Sequence, residues 1–148
     1  GADLESTDLY RADLFKAILE DVDLQDANLD QPDLRKAILI KADLRGANLF
    51  RARMQGANLS EADFYRADLE KSDLSDANLY KADLRESNLH GVNLQGANLQ
   101  GADLEGANLF EADLTEANLE GLSLERTNLE SAKFLKTIMP DGHSHTRQ

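Results

Sequence analysis

Residues 97–111 read Ala-Asn-Leu-Gln-Gly-Ala-Asp-Leu-Glu-Gly-Ala-Asn-Leu-Phe-Glu, which is one five-residue unit written three times. The unit, Ala-(Asp/Asn)-Leu-x-x, continues in the same register in both directions. Leu, Met or Phe occupies every fifth position from Leu4 to Met139, which makes 28 positions without an insertion, and 24 of them are Leu. The chain is therefore one uninterrupted array of pentapeptides.

The period of five excludes the two simplest regular structures. Five residues advance an α-helix by about 500°, so successive leucines step about 140° around it and form no stripe. A straight strand places the Ala and Leu of one unit on one face, but it puts those of the next unit on the opposite face. All these apolar side chains can point inward only if the chain turns a corner once in each unit. The array therefore predicts a coil with flat sides.

The residue between Ala and Leu indicates how many sides the coil has. At positions 3, 13, 23 and onward by tens, ten of fourteen residues are Asp, whereas at 8, 18, 28 and onward nine of fourteen are Asn. A ten-residue superperiod requires an even number of units per coil, and two units are too narrow to enclose side chains. Four sides give 20 residues per coil and seven coils in all. With a strand spacing of ~4.8 Å the rod is roughly 34 Å long.

The Ala-(Asp/Asn)-Leu-x-x unit resembles the motif of the pentapeptide-repeat family, and the match covers residues 1–140. The resemblance implies an all-β fold, a right-handed quadrilateral parallel β-helix, over that range. Residues 134–140 end the periodicity and are expected to cap the last coil, while residues 141–148 are expected to form a polar, unstructured tail. The closing segment 134–142 is similar to that of cyanobacterial members, most of which have no assigned activity.

The composition narrows the classes of function. The 148 residues carry a net charge of −12 and include no Cys. This acidity argues against direct binding to nucleic acid, whose phosphates attract Lys and Arg. The sequence contains no apolar run of about 18 residues, so we expect no membrane insertion. Since the repeats contain no phosphate loop, metal-spaced ligand set or catalytic constellation, we expect no cofactor, no metal site and no enzymatic activity. The chain starts in repeat at Gly1, which leaves open a cytoplasmic location or, after removal of a signal peptide, a thylakoid-lumen or periplasmic one.

Two surfaces are candidates for interaction. No Lys or Arg occurs between Arg85 and Arg126, and this region predicts an acidic surface. Its members are Asp83, Glu86, Asp103, Glu105, Glu111, Asp113, Glu116, Glu120 and Glu125. A smaller apolar patch is predicted near the N-terminal coils, and it comprises Phe15, Ile18 and Ile38.

Three columns of outward side chains have structural interpretations. One column holds Asp3, Asp23, Asp43, Asp63, Asp83 and Asp103. It is either a cation-binding or DNA-mimicking stripe or a set of carboxylates bonded to backbone N–H groups at the corners, and the free interchange of Asp with Asn favours the second. A second column, Asn58, Asn78, Asn98 and Asn118, predicts an amide ladder. In a third column Tyr65 lies between Arg45 and Arg85, which predicts cation–π contacts.

The leading functional hypothesis is a non-catalytic structural or protein-interaction rod with an unidentified protein partner, as a monomer or weak dimer. The alternative comes from the resemblance, because some family members inhibit DNA gyrase by presenting an acidic rod that resembles duplex DNA. This chain shares their acidity but lacks the loop insertions of the resistance-type members. A topoisomerase is therefore the partner to test second.

Overall fold

The computed structural model describes residues 1–145, and its backbone contains 24 isolated parallel bridges that each join residues 20 positions apart. Bridges at residues 3, 8, 13 and 18 belong to four successive sides of one coil. The chain is thus a four-sided parallel β-helix. We number its sides by their first residues, so that face 1 starts with 2–6, face 2 with 7–11, face 3 with 12–16 and face 4 with 17–21, each recurring every 20 residues. Within residues 1–145 no helix is long and apolar enough to cross a membrane.

The core is a stack of Leu and small residues. From Leu24 to Leu119 the side chains at the Leu position are 0–1% exposed, and Met54 and Phe64 fill that position equally well. Burying one Leu fully contributes about 1.5–3 kcal/mol before the entropy of ordering the chain is subtracted. The leucines of the first and last coils are only partly buried, because each has a neighbouring coil on one side alone.

Most units in the interior of the rod satisfy their backbone N–H groups in the same way, as residues 82–86 illustrate. The first N–H closes a turn to the Leu carbonyl three residues earlier at 3.0 Å, and the second donates to the preceding coil at 2.9 Å. The third and fifth donate to the following coil at 2.8 and 3.0 Å. The fourth N–H, that of Arg85, is left without a backbone acceptor and donates instead to Asp83 Oδ1 at 3.0 Å. The side chain therefore completes the hydrogen bonding of each unit that carries Asp or Asn at the second position.

Two of the six exceptions to the motif, Ser123 and Ile138, support this account. All 22 Asp and Asn residues at the second position accept the N–H two residues later, and Ser123 does so through its hydroxyl at 3.3 Å. Ile138 cannot accept a hydrogen bond, and the residue two positions after it is Pro140, which has no N–H to donate. In the units of Ile18, Ile38, Arg53 and Lys133 the fourth N–H has no acceptor within residues 1–145, yet these units are bridged like the others. Asp or Asn at the corner is thus a preference of the backbone rather than of a ligand, and single exceptions are tolerated.

The fifth residue of each unit adopts a left-handed backbone conformation. This holds for all 27 units from Ser6 to Lys136, with φ of 52–60° in twenty non-glycine residues and 63–73° in seven glycines. The left-handed region is uncommon for residues with a Cβ, since the Cβ approaches the following carbonyl oxygen. The inter-coil hydrogen bonds at each corner hold this conformation in place.

Two short strands close the C-terminal end. Strand β1 (Thr137–Ile138) bridges the preceding coil and also pairs in antiparallel fashion with β2 (Ser144–His145). The chain reverses around Gly142, whose φ is 80°, so that β2 covers the open edge of face 4. This corrects the predicted boundaries, because residues 141–145 belong to the cap rather than to an unstructured tail. Residues 146–148 of the predicted tail lie outside the described residues.

Candidate interaction surfaces

The column of six aspartates on face 1 is bonded to the backbone. Each Oδ1 accepts the N–H two residues later at 2.9–3.2 Å. Arg45 forms an ion pair with Asp43 and lies 3.7 Å from Asp63, and Arg85 makes the same two contacts 40 residues later. The aspartates are therefore corner residues that arginines partly neutralise, in agreement with the second interpretation of this column.

These contacts hold several carboxylates in the ionised form. Hydrogen bonding from the Arg45 guanidinium lowers the pKa of Asp43. Burial raises the pKa of Asp83, but the hydrogen bonds and charge of Arg85 outweigh that effect, and the pKa is lowered on balance. On face 3, hydrogen bonding from Arg35 is the main cause that lowers the pKa of Asp33 to about 2. The folded state thus favours the charged form of these groups.

The predicted acidic surface wraps around the rod rather than forming one patch. Face 1 brings together five of its nine residues, and faces 2, 3 and 4 hold the other four. The five are Asp83, Glu86, Asp103, Glu105 and Glu125; Glu111 lies on face 2, Asp113 and Glu116 on face 3, and Glu120 on face 4. Because a coil has four sides, a run of acidic residues in sequence is distributed over all of them.

Three arginines also lie on face 1: Arg85 and Arg126 flank the acidic run, and Arg66 precedes it. Arg66 Nε lies 2.7 Å from Glu86, and Arg126 lies 3.1 Å from Glu105. The guanidinium carbons of Arg66 and Arg85 lie 5.0 and 5.7 Å from the ring centre of Tyr65. The partners of Tyr65 are therefore Arg66 and Arg85, not Arg45 and Arg85 as the column order predicted, since the fifth residue of the same unit also reaches the ring.

An open groove of about 320 Å³ on face 1 is lined by Arg45, Asp63, Tyr65, Arg85, Glu86, Glu105 and Arg126. Charges of both signs line it, so the centre of face 1 is zwitterionic and not a uniform acidic stripe. Sequence order concealed this arrangement. Arg85 and Arg126 are 41 residues apart, which is two coils and one position, and that spacing places both on the same face.

Three of the four asparagines of the predicted amide ladder form it on face 4, whereas Asn118 makes no side-chain bond to Asn98 within residues 1–145. Asn78 Nδ2 donates to Asn58 Oδ1 at 3.3 Å, and Asn98 Nδ2 donates to Asn78 Oδ1 at 3.4 Å. The Oδ1 atoms of Asn58, Asn78 and Asn98 also each accept a backbone N–H at 3.1–3.2 Å. A second ladder on face 2 joins Asn88, Asn108 and Asn128. The asparagines therefore serve both the corner and the contact between coils.

The predicted apolar patch is divided by a corner. Ile18 and Ile38 are bridged neighbours on face 4, where Ile18 is 74% exposed. Phe15 lies on face 3, and the cations of Lys16 and Arg35 lie 5.2 and 5.4 Å from its ring centre. The structure thus brings Ile18 and Ile38 together, whereas Phe15 packs against the cations of Lys16 and Arg35.

Among the described residues, two clusters of side chains could have a role in binding or catalysis. His90 lies between Glu70 and Glu111, at 3.8 and 3.7 Å, and packs against the ring of Phe110 with centroids 5.4 Å apart. In residues 1–145 the one cluster of three potential metal ligands is Asp3, Glu5 and Asp23, and both aspartates already accept backbone N–H groups. Neither grouping includes a nucleophile beside a base.

Comparison with known proteins agrees with the geometry. The family model described as pentapeptide repeats matches eight copies, over residues 1–31, 27–64, 72–109, 87–121 and 107–140. The chain belongs to the pentapeptide-repeat family. No curated protein sequence matches it significantly.

Solved pentapeptide-repeat structures include close relatives. A pentapeptide-repeat protein from the thylakoid lumen of Arabidopsis thaliana is 36% identical, with a TM-score of 0.65 over 66% of this chain and 68% of that one. HetL, involved in regulating heterocyst differentiation in the cyanobacterium Nostoc sp. strain PCC 7120, is 38% identical over 97% of this chain and 73% of its own, with a TM-score of 0.38. QnrB1, a plasmid-mediated fluoroquinolone resistance protein, shares the fold at 16% identity, with a TM-score of 0.57 over 88% and 83% of the two chains.

Membership in the pentapeptide-repeat family fixes two general properties. The four-sided helix is the right-handed quadrilateral β-helix of its structural neighbours. Pentapeptide-repeat proteins are in general structural or interaction proteins rather than enzymes. Pentapeptide-repeat proteins from cyanobacteria are among the structural neighbours.

Proposed function

We propose that this protein is a non-catalytic rod of about seven coils that presents its faces to a protein partner. The proposal rests on one observation, which is that each position of the unit has a different structural role. The Ala and Leu positions fill the core, and the Asp/Asn position completes the backbone hydrogen bonds. Only the two x positions are free to vary, and both face outward, so specificity has to be carried on the surface.

Among the surfaces, we propose face 1 of the later coils as the main contact with this partner. Asp83, Glu86, Asp103, Glu105 and Glu125 lie there, and Arg85 and Arg126 stand among them. Fixed charges of both signs favour a partner with a complementary pattern over a uniformly charged one, because mismatched pairs repel. Ile18 and Ile38 on face 4 form a second, smaller candidate.

Photo-crosslinking at one outward position per face tests the proposal. Suitable positions are Glu105 on face 1, Phe110 on face 2, Ser75 on face 3 and Ser60 on face 4. We expect the crosslinker at Glu105 to capture the same protein reproducibly from an extract of the source cells, while the other three serve as matched controls. Equal capture at all four positions, or none at any, would contradict a role for face 1.

The alternative is a duplex-DNA mimic that inhibits DNA gyrase. Residues 86–125 support it with a charge of −8, and face 1 carries eleven acidic against four basic side chains. The ion pairs of Arg45 and Arg85 oppose it, since they interrupt the acidic column at its centre. A supercoiling assay at micromolar protein decides the matter, because an unchanged supercoiling rate removes this candidate.

The lumenal origin of the Arabidopsis relative supports testing the thylakoid lumen as the compartment of this protein, by fractionation of the source cells.

A further inference from the structure

Face 3 differs from the other faces in its charge. Its outward positions hold six acidic and six basic side chains, so that it is neutral, whereas face 1 has an excess of seven acidic groups and faces 2 and 4 an excess of three each within the described residues. Two copies of a protein with a net charge of −12 repel each other in most orientations. Face 3 is the side on which that repulsion is absent.

The charges of face 3 are also segregated along the rod. We include its leading edge, the column of fifth residues that starts at Arg11. The first three coils then carry six basic residues, namely Arg11, Lys16, Arg35, Lys36, Arg51 and Arg53, against Asp13 and Asp33. The next three coils carry five acidic residues, namely Asp73, Asp76, Glu111, Asp113 and Glu116, against Lys71. These two halves of the first six coils have net charges of +4 and −4. The seventh coil adds Lys133 and Lys136, which lie 3.7 Å from Asp113 and 3.1 Å from Glu116 and offset part of the acidic half.

Small side chains lie among longer ones in the middle of this face. Gly56, Ser75 and Gly96 lie along it, and a shallow trough of about 360 Å³ runs past Ser75, Gln95 and Thr115. A second trough, of about 450 Å³, lies between Arg11 and Arg53 in the basic half. These troughs leave room for the side chains of a facing surface.

We propose that face 3 is a self-complementary surface on which two copies of this chain pair as antiparallel rods. A two-fold axis along the strand direction, between the third and fourth coils, opposes the basic half of one copy to the acidic half of the other. This axis preserves each column, so that Arg11 faces Glu111 of the second copy, Lys16 faces Glu116 and Arg53 faces Asp73. Two like-charged pairs, Asp13 with Asp113 and Arg51 with Lys71, oppose these three attractive pairs, so the pairing is favourable only on balance. A polyanion would use only the basic half, whereas a second copy uses both halves.

The size of the surface makes the dimer weak. Six overlapping coils at ~4.8 Å and a side of about three residues at ~3.3 Å give roughly 300 Å² per partner. A stable interface buries about 800 Å² per partner. The association is therefore electrostatic, fast and weakened by salt, because exposed pairs are screened over about 8–10 Å at physiological ionic strength.

Charge reversal tests the pairing by sedimentation velocity of the full chain up to about 1 mM. The basic-half variant R11E/K16E and the acidic-half variant E111K/E116K change only exposed side chains. We expect wild type to show concentration-dependent dimers in 50 mM NaCl that dissociate in 0.5 M NaCl, and each variant alone to remain monomeric. A 1:1 mixture of the two variants restores a dimer, because each supplies the charge that the other has lost.

Matched controls exclude a simple effect of net charge. K41E/K81E and E61K/E120K make the same changes in charge on exposed residues of face 4 and should leave dimerisation unchanged. The proposal is overturned if wild type stays monomeric at 1 mM, if the face 4 variants abolish dimers equally, or if the mixture fails to restore them. These outcomes are independent of the partner proposed for face 1.

Discussion

Replacing Asn78 tests whether the second position of the unit is needed by the backbone. Asn78 Oδ1 accepts the Tyr80 N–H at 3.1 Å and the Asn98 amide at 3.4 Å, and its Nδ2 donates to Asn58 at 3.3 Å. Asn78→Ala removes all three bonds. With each worth about 0.5–1.5 kcal/mol, and the two ladder bonds at the long end of the range, the expected loss is about 1.5–3 kcal/mol.

Asn78→Asp separates the two roles of this side chain. The carboxylate keeps both acceptor contacts and loses only the donor, so we expect a loss of about 1 kcal/mol. Urea unfolding followed by circular dichroism gives the order of stability, and amide exchange at Tyr80 reports the local bond, because unfolding of a repeat protein need not be all-or-none. Lys81→Ala, at an exposed corner, should change stability by less than about 0.5 kcal/mol.

Two outcomes would refute this reasoning. If Ala and Asp at position 78 cost the same, the acceptor atom has no special importance. If Asn78→Ala leaves the exchange of the Tyr80 amide unchanged, that N–H does not depend on the side chain for its hydrogen bond.

Three further predictions concern the core, the corners and acid stability. Phe64→Ala, at a side chain that is 0% exposed, should destabilise the rod by about 3–5 kcal/mol in urea unfolding, whereas Phe64→Leu restores the repeat residue and costs less. Gly121→Ala should cost about 1 kcal/mol in the same assay, because φ is 73° and nothing lies within 4 Å of the new methyl group, so a null effect would show that the corner is not strained. The Asp33 pKa is lowered from 3.8 to about 2, so its stabilising contribution is present above pH 4 and is lost as pH falls toward 2; Arg35→Gln should flatten this part of the thermal stability profile, and an unchanged profile would contradict the assignment.

The surface shows most plainly where prediction from sequence succeeded and where it failed. The amide ladder was predictable because Asn58 and Asn78 differ by one coil and need only the period of 20 to meet. The contact of Tyr65 with Arg66 was missed because both lie in one unit, and the direction of a long side chain depends on the corner's backbone angles. The extent of the C-terminal cap was also missed, since residues 143–145 fall outside the repeat and their pairing with β1 is not periodic.

The sequence by itself determined the coil. A five-residue period can bury its leucines only by turning at every unit, and the alternation of Asp and Asn gave the number of sides; both follow from local geometry that every unit repeats. Only the tertiary structure decided which charges are neighbours. Arg126 meets Glu105 and the acidic run is spread over four faces because the coil brings together residues about 20 positions apart, and the rotamers of long side chains then select among them.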